Sequence, residues 1–539
     1  MSLKRFIALL LTVILAFSII SGCGGTETAN GNDPGKKTEK PKEGENNGET
    51  PTGKKEDEIA EYIEVWTTNN GYLPVEKDSD MYNYYVDQFG VGLIQPYVEW
   101  NGGVTYLEQL NTRIASNDMP DMFLPVGNIE LELAENGAIL ELSDLLSEKA
   151  PNLWNLIPED VWGVAKSYDP HGQGGIYAIP GILGYGRTTG LIRKDWLDNL
   201  KLEMPTTQED FVNVLKAFKN DDPNGNGEKD EIPTGGREEG RWMDHLFAMY
   251  GIAMDEGYPD WDIYDGELTY SAVTQNMKDA LAFMNTLYKE GLMDPETFLN
   301  SKDEWEGKII SDKVGVYFHW GTGAVDVAFA LESAFEFQPD ISVLPAISAP
   351  GYEGFYTTKQ FTNPVWVIKN QKDESKINAC LEVLNQYADR SKWKDYYLGL
   401  QGMHWDIEDG VPEKLPDDRS IMQNIILTPY YNFDDLEFTL NTYNELNNVP
   451  ENKWAMDQGI RNLEEQQKFV RPIAGDGLPA GIYGEHDDIK NRTLYVEYAT
   501  KIIIGDFPIE KFDEFVDKWY STGGEDVTAA AREWYAKTR

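Results

Sequence analysis

Residues 191–233, LIRKDWLDNLKLEMPTTQEDFVNVLKAFKNDDPNGNGEKDEIP, contain a strand, two helices and a loop rich in side-chain oxygens. The strand leads into a helix that begins near Trp196. After the break at residues 205–207, Thr207 and Asp210 have the spacing of a capping box, which predicts the start of a second helix. Apolar residues then recur at helical spacing and predict its buried face, namely Phe211, Val214, Leu215 and Phe218.

The loop after this helix alternates side chains whose oxygens can bind a cation. These side chains belong to Asp222, Asn224, Asn226, Asp230 and Glu231. Ca2+ takes about six to eight oxygen ligands, which a tight loop supplies from alternate residues and a backbone carbonyl. Gly225 and Gly227 permit the positive-φ turns that such a loop needs. The first half matches the EF-hand pattern, but Pro233 replaces its bidentate glutamate, so Asp230 and Glu231 would complete the shell. The alternative is a surface turn without metal.

Four segments spread along the chain carry a resemblance to a known family. They are RKDWLDNL…PTTQEDF…LKAF…DPNGNGEKDEIP (193–233), YKEGLMDPETF (288–298), YLGLQGMHW (397–405) and IIIGDFPIEKFDEFVDKW (502–519). Over nearly all of its length after residue 57, the chain resembles extracellular solute-binding lipoproteins of carbohydrate ABC transporters, which include LplA-like lipoproteins and alginate-binding proteins. The resemblance implies an α/β, two-lobed periplasmic-binding-protein-like fold of type II, with a cleft between the lobes.

The resemblance also implies that the oxygen-rich loop holds a structural Ca2+ away from the cleft. The ligands carried over onto this sequence are the side chains of Asp222, Asn224, Asn226, Asp230 and Glu231 and the backbone carbonyl of Glu228. All five side-chain positions fit the pattern.

Extended stretches alternate with helical ones in the body of the chain, which predicts α/β layers. The predicted strands are 62–67, 91–99, 121–125, 176–180, 190–193, 313–319 and 361–369, and the predicted helices are 106–115, 275–290, 375–390, 510–519 and 527–537. A Gly-rich bend over residues 181–190 is predicted between two of the strands. In the family, the chain first crosses between lobes there.

Composition and resemblance together predict six segments. They are a lipoprotein signal peptide (1–22), a disordered tether (23–56), the first part of the N-lobe (57–186), the first part of the C-lobe with the calcium loop 222–231 (187–362), the second part of the N-lobe with an insertion (363–440), and the second part of the C-lobe with the C-terminal helices (441–539).

The N-terminus has the pattern of a bacterial lipoprotein signal. Lys4 and Arg5 precede an apolar run of residues 6–20, which is shorter than the about 20 residues that span a bilayer. The run ends in Ile20-Ser21-Gly22-Cys23, the pattern of a lipobox, which predicts diacylglycerol on Cys23 and a chain anchored to the outer face of a Gram-positive-type cell membrane. The alternative is an ordinary secretory signal with an incidental cysteine. Residues 24–56 lack large apolar side chains and cannot form a core.

Length and charge narrow the class of protein. The chain has 539 residues, of which 41% are hydrophobic, enough for two cored domains. Its 92 acidic residues exceed its 47 basic ones and give a net charge of −45, which disfavours a nucleic-acid partner. Cys23 and Cys380 are the only cysteines, so no disulfide framework is expected. Cys380 lies on an apolar helical face and is predicted to be buried.

A saccharide offers apolar C–H faces to an aromatic ring and hydroxyls to polar side chains. In α/β sheets such residues collect at strand ends and crossings. The candidates at these places are Trp66, Tyr72, Arg187, Trp242, Trp320, Trp366, His404 and Trp405. The alternative for each is a structural role, and Trp66 and Trp366 lie within alternating apolar strands. Arg187, Arg237 and Arg241 could pair with a uronate carboxylate.

These patterns predict the substrate-binding lipoprotein of an ABC importer, a monomer that delivers an oligosaccharide to membrane permease subunits without catalysis. Two alternatives remain. The first is a secreted glycosidase or lyase. A glycosidase needs two carboxylates across the scissile bond, which cannot be singled out among 92 acids, and no HExxH, GxSxG or phosphate-loop motif is present. A peptide- or signal-binding lipoprotein could share the fold, because a fold does not identify its ligand.

Overall fold

The computed structural model describes residues 58–67, 74–99, 104–126, 129–392, 405–408, 411–414, 433–434, 436–437, 439–440, 452–484, 486, 489 and 492–538. Its strands are β1 (Tyr62–Trp66), β2 (Gly92–Ile94), β3 (Met122–Phe123), β4 (Ile179–Leu183), β5 (Thr188–Arg193), β6 (Ile232–Thr234), β7 (Met254–Asp255), β8 (Tyr258–Pro259), β9 (Trp261–Tyr264), β10 (Glu267–Tyr270), β11 (Val314–Trp320), β12 (Ile341–Val343), β13 (Tyr356–Thr358), β14 (Phe361–Ile368), β15 (Trp405–Glu408), β16 (Val411–Lys414), β17 (Phe433–Asp434) and β18 (Val470–Pro472).

The α-helices surround these strands. They span Asp80–Phe89, Val104–Ala115, Ile129–Glu135, Ser143–Lys149, Pro151–Leu156, Glu159–Ser167, Lys194–Leu200, Gln208–Asn220, Asp244–Ala248, Gln275–Lys289, Lys302–Ile309, Gly323–Phe335, Glu374–Tyr387, Lys453–Gln466, Thr493–Ile504, Lys511–Trp519 and Glu525–Thr538. Among the described residues, no helix combines the length and the apolar character that crossing a bilayer requires.

Two sheets organise the described chain. The first has the strand order β17-β4-β14-β3-β1-β2, in which β1 runs parallel to β2 and β3, and β14 runs antiparallel to β3 and β4. The second has the order β12-β5-β11-β6, in which β5 runs antiparallel to β11 and β12. The strands alternate with helices, as the sequence predicts.

Each sheet has its own hydrophobic core. Val65, Leu93 and Trp366 of the first sheet pack with helices that include Glu374–Tyr387. That helix buries Cys380 completely, which confirms its prediction as a small apolar core residue. Around the second sheet, the core includes these residues of the helices at 194–200, 208–220, 275–289 and 493–504: Trp196, Phe211, Phe218, Met284 and Ile502.

The helix Gln208–Asn220 begins as its sequence predicts. The Thr207 hydroxyl accepts a hydrogen bond from the Asp210 backbone N–H at 3.1 Å, and the Asp210 carboxylate accepts one from the Thr207 N–H at 3.1 Å. This reciprocal pair satisfies two donors at the helix end. The four predicted apolar residues are buried, as expected.

The first connection between the sheets is shorter than predicted. The predicted bend at 181–190 shrinks to residues 184–187, because β4 continues to Leu183 and β5 already begins at Thr188. Gly190 lies inside β5, where a Cβ atom would come within 2.6 Å of the Tyr356 hydroxyl. The glycine therefore serves close packing against a neighbouring strand, not a turn.

The end of the helix Lys453–Gln466 holds this connection in place. Gly186 donates its N–H to the Gln467 side chain at 3.0 Å, and its carbonyl accepts hydrogen bonds from Gln467 Nε2 at 2.9 Å and from Gln466 Nε2. Both backbone groups of Gly186 are thus bound, which fixes the position of the next residue, Arg187.

Candidate ligand-binding site

A pocket of about 300 Å3 lies beside the segments that join the two sheets. Arg187 contributes from the first connection, and Lys359 contributes from the return connection between β13 and β14. The other described residues lining it are Tyr168, Thr188, Asp255, Glu256, Asp260, Trp261, Trp320, Thr357, Thr358, Gly475, Asp476, Gly477, Leu478 and Tyr483. The pocket therefore combines aromatic rings with charged and hydroxyl groups.

Trp320 provides the exposed aromatic surface of the pocket. It is the last residue of β11 and pairs with Thr188 at the start of β5. The next residue, Gly321, donates its N–H to the Arg187 carbonyl at 3.0 Å, and the Arg187 guanidinium lies 5.8 Å from the centre of the indole ring. Trp320 retains 44% of its exposure, although apolar side chains of this size are usually buried. An exposed ring at a strand end is suited to contact a ligand.

An ion-pair cluster forms a second part of the wall. The Lys359 ammonium lies 2.9 Å from an Asp255 carboxylate oxygen and 2.6 Å from one of Asp260. Burial disfavours the charged lysine, but the two carboxylates outweigh it and raise the Lys359 pKa well above its ordinary value. Lys359 is therefore a cation whose charge is already matched within the pocket wall.

Glu256 lies at the tip of the two-residue turn between β7 and β8. Glu256 and Gly257 have φ values of 51° and 87°, as a tight hairpin turn with two positive-φ residues requires. Burial raises the pKa of the Glu256 carboxyl and the charge of Asp255 adds to this effect, whereas Arg241, 3.6 Å away, opposes it.

Two buried groups hold this hairpin. The Gly257 N–H donates to Asp244 Oδ1 at 3.1 Å, and its carbonyl accepts from Arg492 Nη1 at 2.8 Å. Asp244 is almost fully buried, and its Oδ2 accepts no hydrogen bond from another described residue. Burial raises the pKa of the Asp244 carboxyl to about 8, although the bond from Gly257 works against this rise.

We expect Asp244 to make the folded protein less stable as the pH rises. The unfolded carboxyl loses its proton near its ordinary value of 3.8, whereas the folded one keeps it up to about pH 8. Between these values the folded state binds more protons, so the free energy of unfolding falls by up to about 1.4 kcal/mol per pH unit. Asp244→Asn should remove this contribution, as measured by denaturant unfolding from pH 4 to 8.

The exposed Asp87→Asn serves as the control for this experiment and should retain the wild-type slope. An unchanged slope in Asp244→Asn would show that the carboxyl titrates normally in the folded state.

Of the predicted ligand residues, the structure brings Trp320 and Arg187 together in the pocket. The side chains of Trp66 and Trp366 are buried in the cores of the first sheet. Trp242 is 7% exposed, with its ring centre 5.8 Å from that of Trp305 and 5.1 Å from that of His319. Burial of these three tryptophans favours the structural alternative. Tyr72, His404 and the side chain of Trp405 lie outside the described residues.

The acidic residues and the lysine of the pocket wall are absent from the sequence-based candidates. A usable signal exists for Glu256, because Asp255-Glu256-Gly257 between apolar residues has the form of a tight hairpin turn. Asp260, Asp476 and Lys359 give no local signal. Their carboxylates and ammonium meet only through tertiary packing.

The oxygen-rich loop has a conformation suited to a cation. Asp222 accepts hydrogen bonds from the N–H groups of Asn226 at 3.1 Å and Gly227 at 3.0 Å, so the loop folds back on this carboxylate. Gly225 and Gly227 have φ values of 70° and 87°, as predicted. Asn226 Oδ1 in turn accepts from the Glu228 N–H at 2.6 Å.

Glu231 carries a buried carboxylate at the end of this loop. Both of its carboxylate oxygens are buried, and neither accepts a hydrogen bond from another described residue. Burial, reinforced by the charges of Asp222, Asp230 and Asp312, raises the pKa of the Glu231 carboxyl. The described residues contain no ready cluster of three His, Cys, Asp or Glu side chains. The loop also offers oxygen ligands from the amides of Asn224 and Asn226 and from the Glu228 carbonyl. The Glu231 carboxylate, which lacks a hydrogen-bond donor among the described residues, would fit as a further calcium ligand.

A family model described as bacterial extracellular solute-binding protein matches residues 84–377, which make up more than half of the chain. The chain belongs to this family. This solute-binding protein is 25% identical to lipoprotein LipO of Bacillus subtilis over 457 residues, covering 82% of this chain and 86% of LipO.

Two further relatives are named for the saccharides that they bind. This chain is 32% identical over 311 residues to the fructooligosaccharide ABC transporter substrate-binding protein FusA of Streptococcus pneumoniae, and the match covers 54% of each chain. This chain is 23% identical over 462 residues to the polygalacturonan/rhamnogalacturonan-binding protein YtcQ of Bacillus subtilis, and the match covers 82% of this chain and 86% of YtcQ.

Solved structures show the fold of this solute-binding protein. FusA in complex with kestose aligns with a TM-score of 0.60 at 22% identity, covering 88% of this chain and 99% of FusA. An HMO-binding solute-binding protein of Bifidobacterium longum infantis aligns with a TM-score of 0.66 at 20% identity, covering 88% of this chain and 98% of that protein. A FusA EF-hand mutant in complex with fructo-nystose aligns with a TM-score of 0.62 at 21% identity, covering 88% of this chain and 99% of the mutant. The predicted two-lobed α/β fold is confirmed.

Proposed function

We propose that this protein is the substrate-binding component of an ABC importer and that it captures an oligosaccharide in the pocket around Trp320. Closure of the lobes would enclose the sugar, and delivery to membrane permease subunits would follow with no bond made or broken. The observation that carries the proposal is the exposed Trp320 ring in a pocket that also presents charged and hydroxyl groups.

The chemistry of the pocket supports a saccharide. Trp320 offers a flat apolar surface to the C–H face of a sugar ring, and carboxylates such as Glu256 can accept hydrogen bonds from its hydroxyls. Thr188 and Thr357 add hydroxyl groups at the edge of the pocket. FusA and YtcQ, whose names specify saccharides, support the same ligand class.

Calorimetric titration with a panel of oligosaccharides, run beside a reducing-end assay, tests the proposal. We expect saturable heat, with the sugar recovered unchanged. Steady release of reducing ends would instead show a carbohydrate-active enzyme, either a glycosidase with two opposed carboxylates or a lyase. Heat with peptides and none with saccharides would favour the peptide-binding alternative. Ligand at about one hundred times its Kd should stabilise the protein by about 2.7 kcal/mol, so a thermal-shift screen can select the panel.

We also propose that the chain is anchored to the outer face of the cell membrane through diacylglycerol on Cys23. The lipobox in the sequence supports the anchor, as does the similarity to a protein named lipoprotein LipO. Residues 23–56 would form the tether, and residues 57–186 with 363–440 and 187–362 with 441–539 would form the two lobes. The proposed working unit is a monomer.

For the loop at 222–231 we propose a structural Ca2+. Its ligands would be the side chains of Asp222, Asn224, Asn226, Asp230 and Glu231 and the carbonyl of Glu228. The bound ion would compensate the buried Glu231 carboxylate and stabilise the loop. The FusA EF-hand mutant indicates that a relative contains an EF-hand, which supports this proposal.

A further inference from the structure

The charged side chains that line the pocket are predominantly acidic. Among the described lining residues, four are carboxylates, namely Asp255, Glu256, Asp260 and Asp476, and two are cations, namely Arg187 and Lys359. The chain as a whole also carries a net charge of −45, which gives the protein a long-range field of the same sign.

Both lining cations already interact with neighbouring groups. Lys359 lies between Asp255 and Asp260 at 2.9 and 2.6 Å, which leaves this group of three with an excess negative charge. The Arg187 guanidinium lies 5.8 Å from the centre of the Trp320 ring. A ligand carboxylate would have to compete with these contacts to gain a counter-charge.

The arginines outside the lining residues do not reverse this balance. Arg241 lies 3.6 Å from Glu256, and Arg237 forms an ion pair with Glu238. Neither side chain lines the pocket. Of the three arginines predicted to pair with a uronate carboxylate, Arg187 lines the pocket, whereas Arg237 and Arg241 do not.

A neutral sugar matches the same groups better than a charged one. Each ionised carboxylate is an acceptor with two oxygens and can bind two sugar hydroxyls, whereas it repels another carboxylate. Trp320 contributes a surface that is indifferent to ligand charge. Specificity against a uronate would then come from repulsion between like charges, which is one way in which a binding site rejects the wrong ligand.

We propose, building on the proposed saccharide-binding function, that the pocket takes a neutral saccharide and excludes a uronate of the same size and linkage. Glu256 and the excess negative charge of the group formed by Asp255, Lys359 and Asp260 would provide the discrimination, because they line the same pocket as Trp320.

Matched pairs of oligosaccharides test this inference. One pair is α-1,4-linked galactotriose and trigalacturonate, which differ only at C6, and kestose is an additional neutral probe. Calorimetry with the full chain at fixed ionic strength should give the neutral sugar an affinity at least about tenfold higher than its uronate counterpart. Rising salt should narrow the gap, since screening weakens the repulsion.

Substitution of Glu256, an acidic residue that lines the pocket, tests the source of the discrimination. Glu256→Gln keeps the shape of the side chain and removes its charge, so it should improve uronate binding relative to neutral binding several-fold. The exposed Glu209→Gln, on a helix of the second sheet's core, should leave this ratio unchanged.

The outcomes separate this inference from the function on which it rests. A uronate that binds as tightly as its neutral partner, or more tightly, would overturn the charge selection and leave saccharide binding intact. Failure of every neutral and acidic saccharide to bind would overturn the proposed function, and the charge selection with it.

Discussion

Replacing Trp320 by alanine should weaken saccharide binding by about 30-fold or more, because truncating a central aromatic contact typically costs about 2 kcal/mol or more. The ring is 44% exposed, so its removal should leave the protein folded. Calorimetric titration of the saccharide selected by the thermal-shift screen measures the loss. The melting temperature without ligand should remain within about 2 °C of the wild-type value, since surface substitutions usually change stability little.

Phe335→Ala is the matched control for this experiment. Phe335 is another exposed aromatic residue, at 48%, and it ends the helix that follows Trp320 in the chain without lining the pocket. Its substitution should not change the affinity. Equal affinities of the wild type and Trp320→Ala would place the sugar elsewhere and overturn the assignment of this pocket.

Chelation of Ca2+ should lower the melting temperature of the protein by about 5–10 °C. An ion at one hundred times its Kd stabilises the folded state by about 2.7 kcal/mol, and each kcal/mol corresponds to about 2–4 °C in a domain of 150–250 residues. Differential scanning calorimetry with calcium and with chelator measures the difference. Saccharide affinity should persist in chelator, because no residue of the loop 222–231 lines the pocket.

Glu231→Gln distinguishes a calcium ligand from a structural carboxylate by the sign of its effect. With calcium, the variant should be less stable than the wild type, because the ion loses a charged ligand. In chelator it should be equally or more stable, because the buried carboxylate no longer has to be ionised without compensation. Glu228→Gln is the control, since its proposed ligand is the backbone carbonyl and its side chain is exposed. Identical melting in calcium and chelator would contradict the metal site.

Much of the fold could be predicted from local patterns. The helix at 208–220 was predictable because its capping box and its apolar face coincide in sequence. The helix Lys453–Gln466 was harder to predict, because its buried face includes the amides Gln458, Asn462 and Gln466 beside only two buried apolar side chains, Ala455 and Leu463. Gln458 accepts from the Ile341 N–H at 2.9 Å, and Asn462 donates to the Ile341 carbonyl at 2.9 Å. A search for apolar residues at helical spacing gives less weight to a buried face that makes hydrogen bonds.

The pocket was predictable only in part. Trp320 and Arg187 could be found because they flank strands that meet in one sheet. The burial of Trp242 could not be predicted, because it depends on Trp305 and His319, which are distant in sequence and stack against its ring. The acidic wall was hidden among 92 acidic residues, and only the fold distinguishes Asp255 from an ordinary surface aspartate.

The burial of Cys380 makes this protein convenient for site-specific labelling. A form that begins after the lipobox residue Cys23 would carry Cys380 as its single native thiol. Burial raises the pKa of that thiol well above its ordinary value, which keeps it unreactive toward maleimide dyes in the folded state. Two fluorophores attached to introduced cysteines on opposite rims of the cleft would therefore report opening and closing without background, one molecule at a time.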